Sequence, residues 1–287
     1  MNLHSISTTI LVLLASVAVT NAKPVKHLLV VTVTKGYHHD SIPVAEKVIE
    51  KLGKDSGLWT TDFVRTDADM KAMMTSSALQ HYDGVIFCNT TGVLPLPDPE
   101  GFLDYIREGH GFAAVHAGAD TFHTWPGQTS GVSRYARMLG GEFNMHNQQC
   151  AVSLTIADPQ FPACLPLISA SSSISNPAPA QPGHSYVTDG QWHIYDEIYL
   201  MKNFDPAKVH LLLYGTVHPA DGSAEAGNPG LFPISWCKKY GKGRVFYTAL
   251  GHRDDIWEDP LFQQHLMGGI EWILHRKRGS YASGNVK

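Results

Sequence analysis

The run Gly111-Phe112-Ala113-Ala114-Val115-His116-Ala117-Gly118-Ala119-Asp120 constrains the fold more than any other stretch of the chain. It reads as a buried strand that breaks into a tight turn at His116. Small residues at Ala114, Ala117 and Gly118 let the backbone bend sharply. This is the pattern of a nucleophile elbow, in which a parallel strand presents one side chain at the mouth of an α/β sheet. The residue at the tip is His116. A histidine there can bind a metal or move a proton, but it is a poor acyl-transfer nucleophile, so the turn is that of an enzyme site with a different chemistry.

The flanking sequence supplies the rest of such a sheet. Residues 27–34 (HLLVVTVT) form a continuous apolar, β-branched run, as expected of a strand buried on both faces. Helical spacing over 42–52, with Asp40 and Ser41 as cap candidates, is followed by a second strand at 59–65 and a polar helix at 70–79. A third strand is read at 84–88, a helix at 99–108 and the central strand at 112–115. This β-α rhythm predicts an α/β fold with a doubly wound, mostly parallel sheet, helices on both faces, and a site at the carboxyl ends of the strands. The second half is less regular. Strands are expected at 150–156, 194–201, 209–214, 232–237 and 243–249, and a closing amphipathic helix at 262–274. Residues 169–183 and 220–230 read as surface loops.

With 43% hydrophobic residues and a net charge of -4, the chain has ordinary globular composition and no basic face for nucleic acid. Residues 1–22 read as a secretory signal peptide cleaved after Ala22, because the apolar run 10–19 is too short to span a bilayer and ends in small residues. That predicts a secreted protein with no membrane association after cleavage, and a single domain over 23–287 with its core at about 27–274. Of the four cysteines, Cys150 and Cys164 flank a short strand-and-loop segment and are expected to pair, whereas Cys88 and Cys237 sit in apolar strands as buried thiols. Asn89-Thr90-Thr91 is a glycosylation sequon at a strand end, where access is poor.

Several histidines and carboxylates fall where a doubly wound sheet brings its strand ends to one edge: Tyr37, His38, His39 and Asp40 follow the first strand, His116 and Asp120 the central one, Glu142 and His146 a helix, and His252 the last strand, while Asp196 and Glu197 lie within a strand. Neutral imidazoles from separate strands can hold a divalent ion with water in an open position, and a carboxylate such as Glu197 can then act as general acid or base. No close ligand spacing marks a metal motif, and a lone histidine at a strand end is more often a hydrogen-bonded structural residue. Trp125, Trp192 and Trp257 are candidates for stacking on a sugar, although tryptophan usually packs in cores or rims.

Taken in order, these pieces resemble the ThuA-like family, named for trehalose utilisation. The matching residues are Gly36-Tyr37-His38-His39-Asp40-Ser41-Ile42; Val115-His116-Ala117-Gly118-Ala119-Asp120-Thr121 with Trp125-Pro126; Gly140-Gly141, Phe143 and His146; Asp196-Glu197 and Tyr199; and Gly241-Lys242-Gly243-Arg244-Val245-Phe246-Tyr247 with Leu250-Gly251-His252, followed by Trp257 and His265 to Trp272. The resemblance implies a flavodoxin-like, class I glutamine amidotransferase-like fold. It implies no amidotransferase activity, because His116 stands where that superfamily carries its cysteine. It further implies sugar utilisation through oxidised (3-keto) glycosides. The implied metal is Zn, Mn, Ni or Fe, held by His39, His116, His146 and His252, with no organic cofactor. The sequence departs from the family in its secretory start, in the 169–183 loop and at His38.

The expected function is therefore a secreted, metal-assisted enzyme that cleaves a glycoside or 3-keto-glycoside. His116, Asp120 and Glu197 would be catalytic, and Tyr37, His38, Trp125 and Trp257 would bind the small carbohydrate substrate. The alternative is a non-catalytic carbohydrate-binding or sensor protein on the same fold, in which Trp125 and Trp257 matter more than the histidines. A third reading, a vestigial amidotransferase or protease relative using Cys88 or Cys150, is disfavoured because neither cysteine follows an elbow-like turn.

Overall fold

The computed structural model describes residues 24–172 and 178–286. The signal-peptide expectation falls on residues outside that range, as do residues 173–177 of the expected loop. The first half runs β1 (Lys26–Val31), α1 (Ile42–Ser56), β2 (Trp59–Val64), α2 (Asp67–Met73), α3 (Ser76–Leu79), β3 (Gly84–Cys88), α4 (Pro99–Glu108) and β4 (Gly111–Val115). Then follow a single 3-10 turn (His116–Asp120), α5 (Arg134–Leu139), β5 (Glu142–Met145), β6 (Cys150–Ile156), α6 (Leu165–Ser169), β7 (Tyr186–Thr188) and β8 (Gln191–Asp196). The chain closes with β9 (Leu200–Lys202), β10 (His210–Val217), β11 (Pro229–Tyr240), β12 (Gly243–Thr248), α7 (Asp254–Glu258) and α8 (Pro260–Ile273).

Ten strands form one sheet in the order β2-β1-β3-β4-β12-β11-β10-β6-β8-β7. The doubly wound α/β fold read from the sequence is present: β2, β1, β3, β4 and β12 are parallel neighbours. Beyond β12 the sheet continues antiparallel through β11, β10, β6, β8 and β7. Strands β3 and β4 are buried at every position, as parallel strands covered on both faces must be. Phe87 packs at ring-centroid distances of 5.4 Å from Phe102, 5.3 Å from Phe112 and 5.8 Å from Tyr135. Truncating such a ring to Ala costs about 3–5 kcal/mol.

Local chemistry sets the helix ends. Asp98 caps α4 by accepting from the Gly101 N–H at 2.9 Å. Gly57 ends α1 in the left-handed conformation (φ 66°). The single helix expected over 70–79 is two short ones, because Thr66 with Asp69 builds a capping box for α2 and Thr75 caps a new start at Ser76. Among the described residues no helix is long and apolar enough to cross a membrane.

Two further readings are corrected. The single strand expected over 194–201 is divided: β8 stays in the large sheet, whereas β9 pairs with β5 in a separate two-stranded sheet. Glu197 lies in the break and not within a strand. The Cys150–Cys164 pair is absent, and all four cysteines are free and buried. Cys150 opens β6 and Cys164 lies beyond its far end; an extended strand of seven residues spans about 20 Å, far more than the reach of a disulfide.

Candidate metal centre

The elbow read at His116 is real in the backbone. β4 ends at Val115, and His116 adopts φ 49°, a left-handed conformation that a residue with a Cβ rarely takes. Gly118 is required two residues on, since a Cβ there would lie 2.8 Å from both the Phe87 carbonyl oxygen and the Ala114 Cβ. His116 is fully buried, and its Nδ1–H donates to the Ala249 carbonyl at 2.7 Å. That bond fixes the tautomer, so Nε2 presents a lone pair.

His39, which follows β1, and His252, which follows β12, meet His116 at the same end of the sheet. The three ring centroids form a near-equilateral triangle of 4.9, 5.2 and 5.3 Å, with planes 70° to 86° apart. Glu197 completes the group. Its Oε2 lies 3.5 Å from His116 Nε2 and 3.2 Å from His252 Nδ1. One donor atom from each of His39, His116, Glu197 and His252 lies within 4.8 Å of the others.

The loops are held by buried polar stitches. Asn89, itself left-handed (φ 53°), donates to the Ser41 hydroxyl at 3.0 Å and to the Gly251 carbonyl at 3.3 Å. The Gly251 N–H donates to Asp196 at 2.8 Å, which ties the loop of His252 to the residue before Glu197. Ser41 begins α1 yet makes no capping bond, because its hydroxyl serves this network. Asn89 has no accessible surface, so in the folded protein its sequon cannot receive a glycan.

The electrostatics set a neutral His39 beside an ionised Glu197. Burial, with His116 and His252 nearby, pushes His39 down to about 3. Burial alone would raise Glu197, but His116 and His252 outweigh it and hold the carboxyl well below its usual range. At His252 the order reverses: burial would lower it, and the Glu197 carboxylate raises it above the usual imidazole value. Nδ1 of His39, Nε2 of His116 and Nδ1 of His252 are buried and make no well-aligned hydrogen bond, although Glu197 Oε2 stands 3.5 and 3.2 Å from the latter two. Buried nitrogens left poorly partnered are costly, and three of them facing one carboxylate are a donor set suited to a divalent ion of the Zn or Mn type.

The group opens into a cavity of about 340 Å³ lined by Tyr37, Thr91, Asp120, Phe143, His146 and Tyr199, besides His39, Glu197 and His252. That volume is at the scale of small-ligand sites. Asp120 therefore lies at the cavity, 2.7 Å from His123, a residue that the sequence reading did not single out. Tyr37 is 62% exposed and packs edge-on against His39 at 4.8 Å.

Other expected residues lie elsewhere. His146 is outside the four-donor group; its Nδ1 is 3.2 Å from Glu197 Oε1, so it holds the carboxylate from the solvent side. His38 is exposed and off the cavity wall. Trp125 and Trp257 are core residues, not sugar platforms. Their exposures are 1% and 0%, and their indole N–H groups donate to Glu100 and to the Gly251 carbonyl. Trp192 is likewise buried.

The family model described as trehalose utilisation (ThuA) matches residues 27–273. A ThuA-like protein from Parabacteroides merdae superimposes with a TM-score of 0.62 at 18% identity, covering 88% of this chain and 90% of that one. A ThuA-like protein from Bacteroides uniformis gives 0.63 at 19% identity, covering 90% and 95%. A β-galactosidase from Rahnella sp. R3 shares the fold at a TM-score of 0.50 and 13% identity, through 32% of its own length and 89% of this chain. No curated protein sequence matches the chain.

Proposed function

Because the chain belongs to the ThuA (trehalose utilisation) family, we propose that it is a metal-assisted enzyme of sugar utilisation that cleaves a glycoside, with a 3-keto-glycoside as the favoured substrate. We assign it to the outside of the cell, on the leader-like residues 1–22. The observation that carries the reading is the set of three buried imidazole nitrogens, without well-aligned hydrogen bonds, around Glu197 at the floor of the cavity. His39, His116, Glu197 and His252 would hold the ion. A divalent cation at such a place supplies Lewis-acid polarisation of a sugar carbonyl, which acidifies the neighbouring C–H.

Glu197 is then occupied as a ligand, and Asp120 is the carboxylate left to move the proton. In a 3-keto-glycoside the hydrogen on C2 lies between the carbonyl and the anomeric carbon. Asp120 takes that proton and the C2–H bond breaks. The C1–C2 double bond forms as the C1–O bond breaks, and the electron pair leaves with the aglycone oxygen. The proton on Asp120 passes to that oxygen, and Asp120 is again a carboxylate. Addition of water to the unsaturated product would complete a net hydrolysis. Tyr37, exposed at the rim, offers an aromatic face to the substrate.

The test is elemental analysis of the purified protein beside His116→Ala, followed by turnover of 3-keto-glycosides. Near-stoichiometric Zn, Mn, Ni or Fe that His116→Ala loses together with turnover supports the reading. An absence of metal even after it is supplied, with unchanged turnover in the variant, overturns it.

A further inference from the structure

We propose that His123 is a positioning residue that, clamped between Asp120 and Glu142, holds a cationic donor against Asp120 and keeps that carboxylate aimed at the cavity. The proposal rests on the reading of Asp120 as the base. Both ring nitrogens of His123 are committed: Nε2 lies 2.7 Å from Asp120 Oδ1, and Nδ1 lies 2.8 Å from Glu142 Oε2. A neutral imidazole has one N–H, so it can donate to only one of two ionised carboxylates. Two short contacts require one proton more than the neutral ring carries. Imidazole is the stronger base by about two pH units, so the extra proton resides on the ring. The group is a cation between two anions.

The frame around it fixes this arrangement. Glu142 is buried and also accepts from the Asn203 side-chain amide, so it cannot swing away. Phe122 and Asn203, which flank the group in sequence or in contact, both hold left-handed backbone (φ 55° and 51°). Such strain persists only where its surroundings impose it. The Phe122 N–H donates to the Gly92 carbonyl at 3.0 Å, and the Gly92 N–H to the Asp120 carbonyl at 3.0 Å, which anchors the turn carrying both residues.

Besides its partners Asp120 and Glu142, the ionisable groups near the device are those of the cavity that Asp120 lines, Tyr37, His39, His146, Glu197, Tyr199 and His252, and the buried Tyr247, whose hydroxyl, like that of Tyr199, is held neutral by burial. The hydrogen bond to Asp120, then Glu142, raise the His123 pKa above its usual value against the opposing effect of burial. The ring is about one-third exposed, so its proton exchanges with solvent. Asp120 Oδ1 is tied to the ring, which leaves Oδ2 for the substrate. An imidazolium at hydrogen-bond distance lowers the pKa of a carboxylate by about 1–3 units. The device works up to the pH at which His123 loses its extra proton.

Two measurements test it on the full-length, metal-supplied protein. The first is nitrogen NMR of the His123 ring during a pH titration. The imidazolium should persist to higher pH in the wild type than in Asp120→Asn; equal titration in the two overturns the proposal. The second is exchange of the C2 hydrogen of a methyl 3-keto-glycoside with deuterium from solvent. In His123→Gln the acid limb of the exchange rate should move up by about one pH unit or more, with the plateau largely recovered at higher pH. A lowered plateau with an unmoved limb would mean a merely structural role and overturn the proposal. If His123→Gln fails to fold, Glu142→Gln should shift the limb in the same direction by less. A wild type that exchanges no deuterium overturns the base reading of Asp120, and the ring titration still decides the clamp.

Discussion

The Ala249 carbonyl oxygen lies 2.7 Å from Nδ1 of His116. That single backbone contact decides what the elbow residue can do, because it places the ring proton on the far side and leaves Nε2 as a bare donor toward Glu197. Outer partners of this kind orient ligands and raise their basicity. His116→Gln cannot present the same donor on the same vector. It should lose at least about a hundredfold in metal affinity, as read by calorimetric titration, while circular dichroism stays native. Unchanged affinity would remove His116 from the ligand set.

Gly251 stands immediately before His252 with φ 119°, where a side chain is strained whatever the space. A Cβ there would lie 3.3 Å from both the Trp257 ring and Val115 Cγ1. Gly251→Ala should cost about 1–3 kcal/mol in denaturant unfolding and should displace His252. Metal content should fall with it. A variant of full stability and full metal content would contradict the role given to this turn.

Trp257 and Tyr37 should separate cleanly. Trp257→Ala removes a fully buried indole and is expected to cost about 3–5 kcal/mol, seen as a large drop in Tm. Tyr37→Ala touches an exposed ring at the rim and should leave Tm nearly unchanged while raising KM for the keto-glycoside. The reverse pattern would restore the stacking role to Trp257.

His265 gives the protein an acid limit. It is fully buried, its Nδ1–H donates to the Ala163 carbonyl at 2.9 Å, and burial lowers its pKa from 6.5 to about 4. In the window between those values the unfolded chain binds a proton that the folded one refuses. Stability is therefore complete above pH 6.5 and falls as the pH drops toward 4, by roughly 3 kcal/mol in all from this group. His265→Leu should flatten the decline of Tm between pH 6.5 and 4, at a constant cost from the unpaired Ala163 carbonyl. An unaltered slope would place the acid sensitivity elsewhere.

The four thiols should be unreactive in the native state. All are buried, and burial raises each pKa, to about 11 at Cys150 and further at Cys88, Cys164 and Cys237. Thiol titration should find about none before denaturation and four after it. A Cys150–Cys164 peptide in non-reducing mass spectrometry would contradict the structure.

The parallel half of the sheet was legible in the sequence because continuous apolar runs such as 27–34 and 84–88 admit no other placement. The elbow at His116 was legible because only small neighbours permit that bend. Glu197 was found by type but misplaced in a strand, since β-like residues continue from 191 to 202 and only the Asp196 bond to Gly251 reveals the break. His146 and Glu197 exchanged roles for the same reason: ligand geometry is a property of loop ends brought together over long separations. Tryptophans at motif positions could not be told from core residues by spacing. His123 carries one local signal, its place three residues after Asp120, but its second partner, Glu142, comes from a strand too short to read as one.

The four-donor group draws on both halves of the sheet. His39 and His116 follow β1 and β4, His252 follows β12, and Glu197 arrives from the antiparallel side after β8. A chain cut after the first half would leave two ligands on each fragment. Metal retention is therefore a readout of correct assembly: a misregistered or partly folded molecule can keep most of its secondary structure and still fail to close the ring of donors. In a folding experiment, a metal-sensitive signal should be among the last to appear, marking the moment when the two ends of the polypeptide agree.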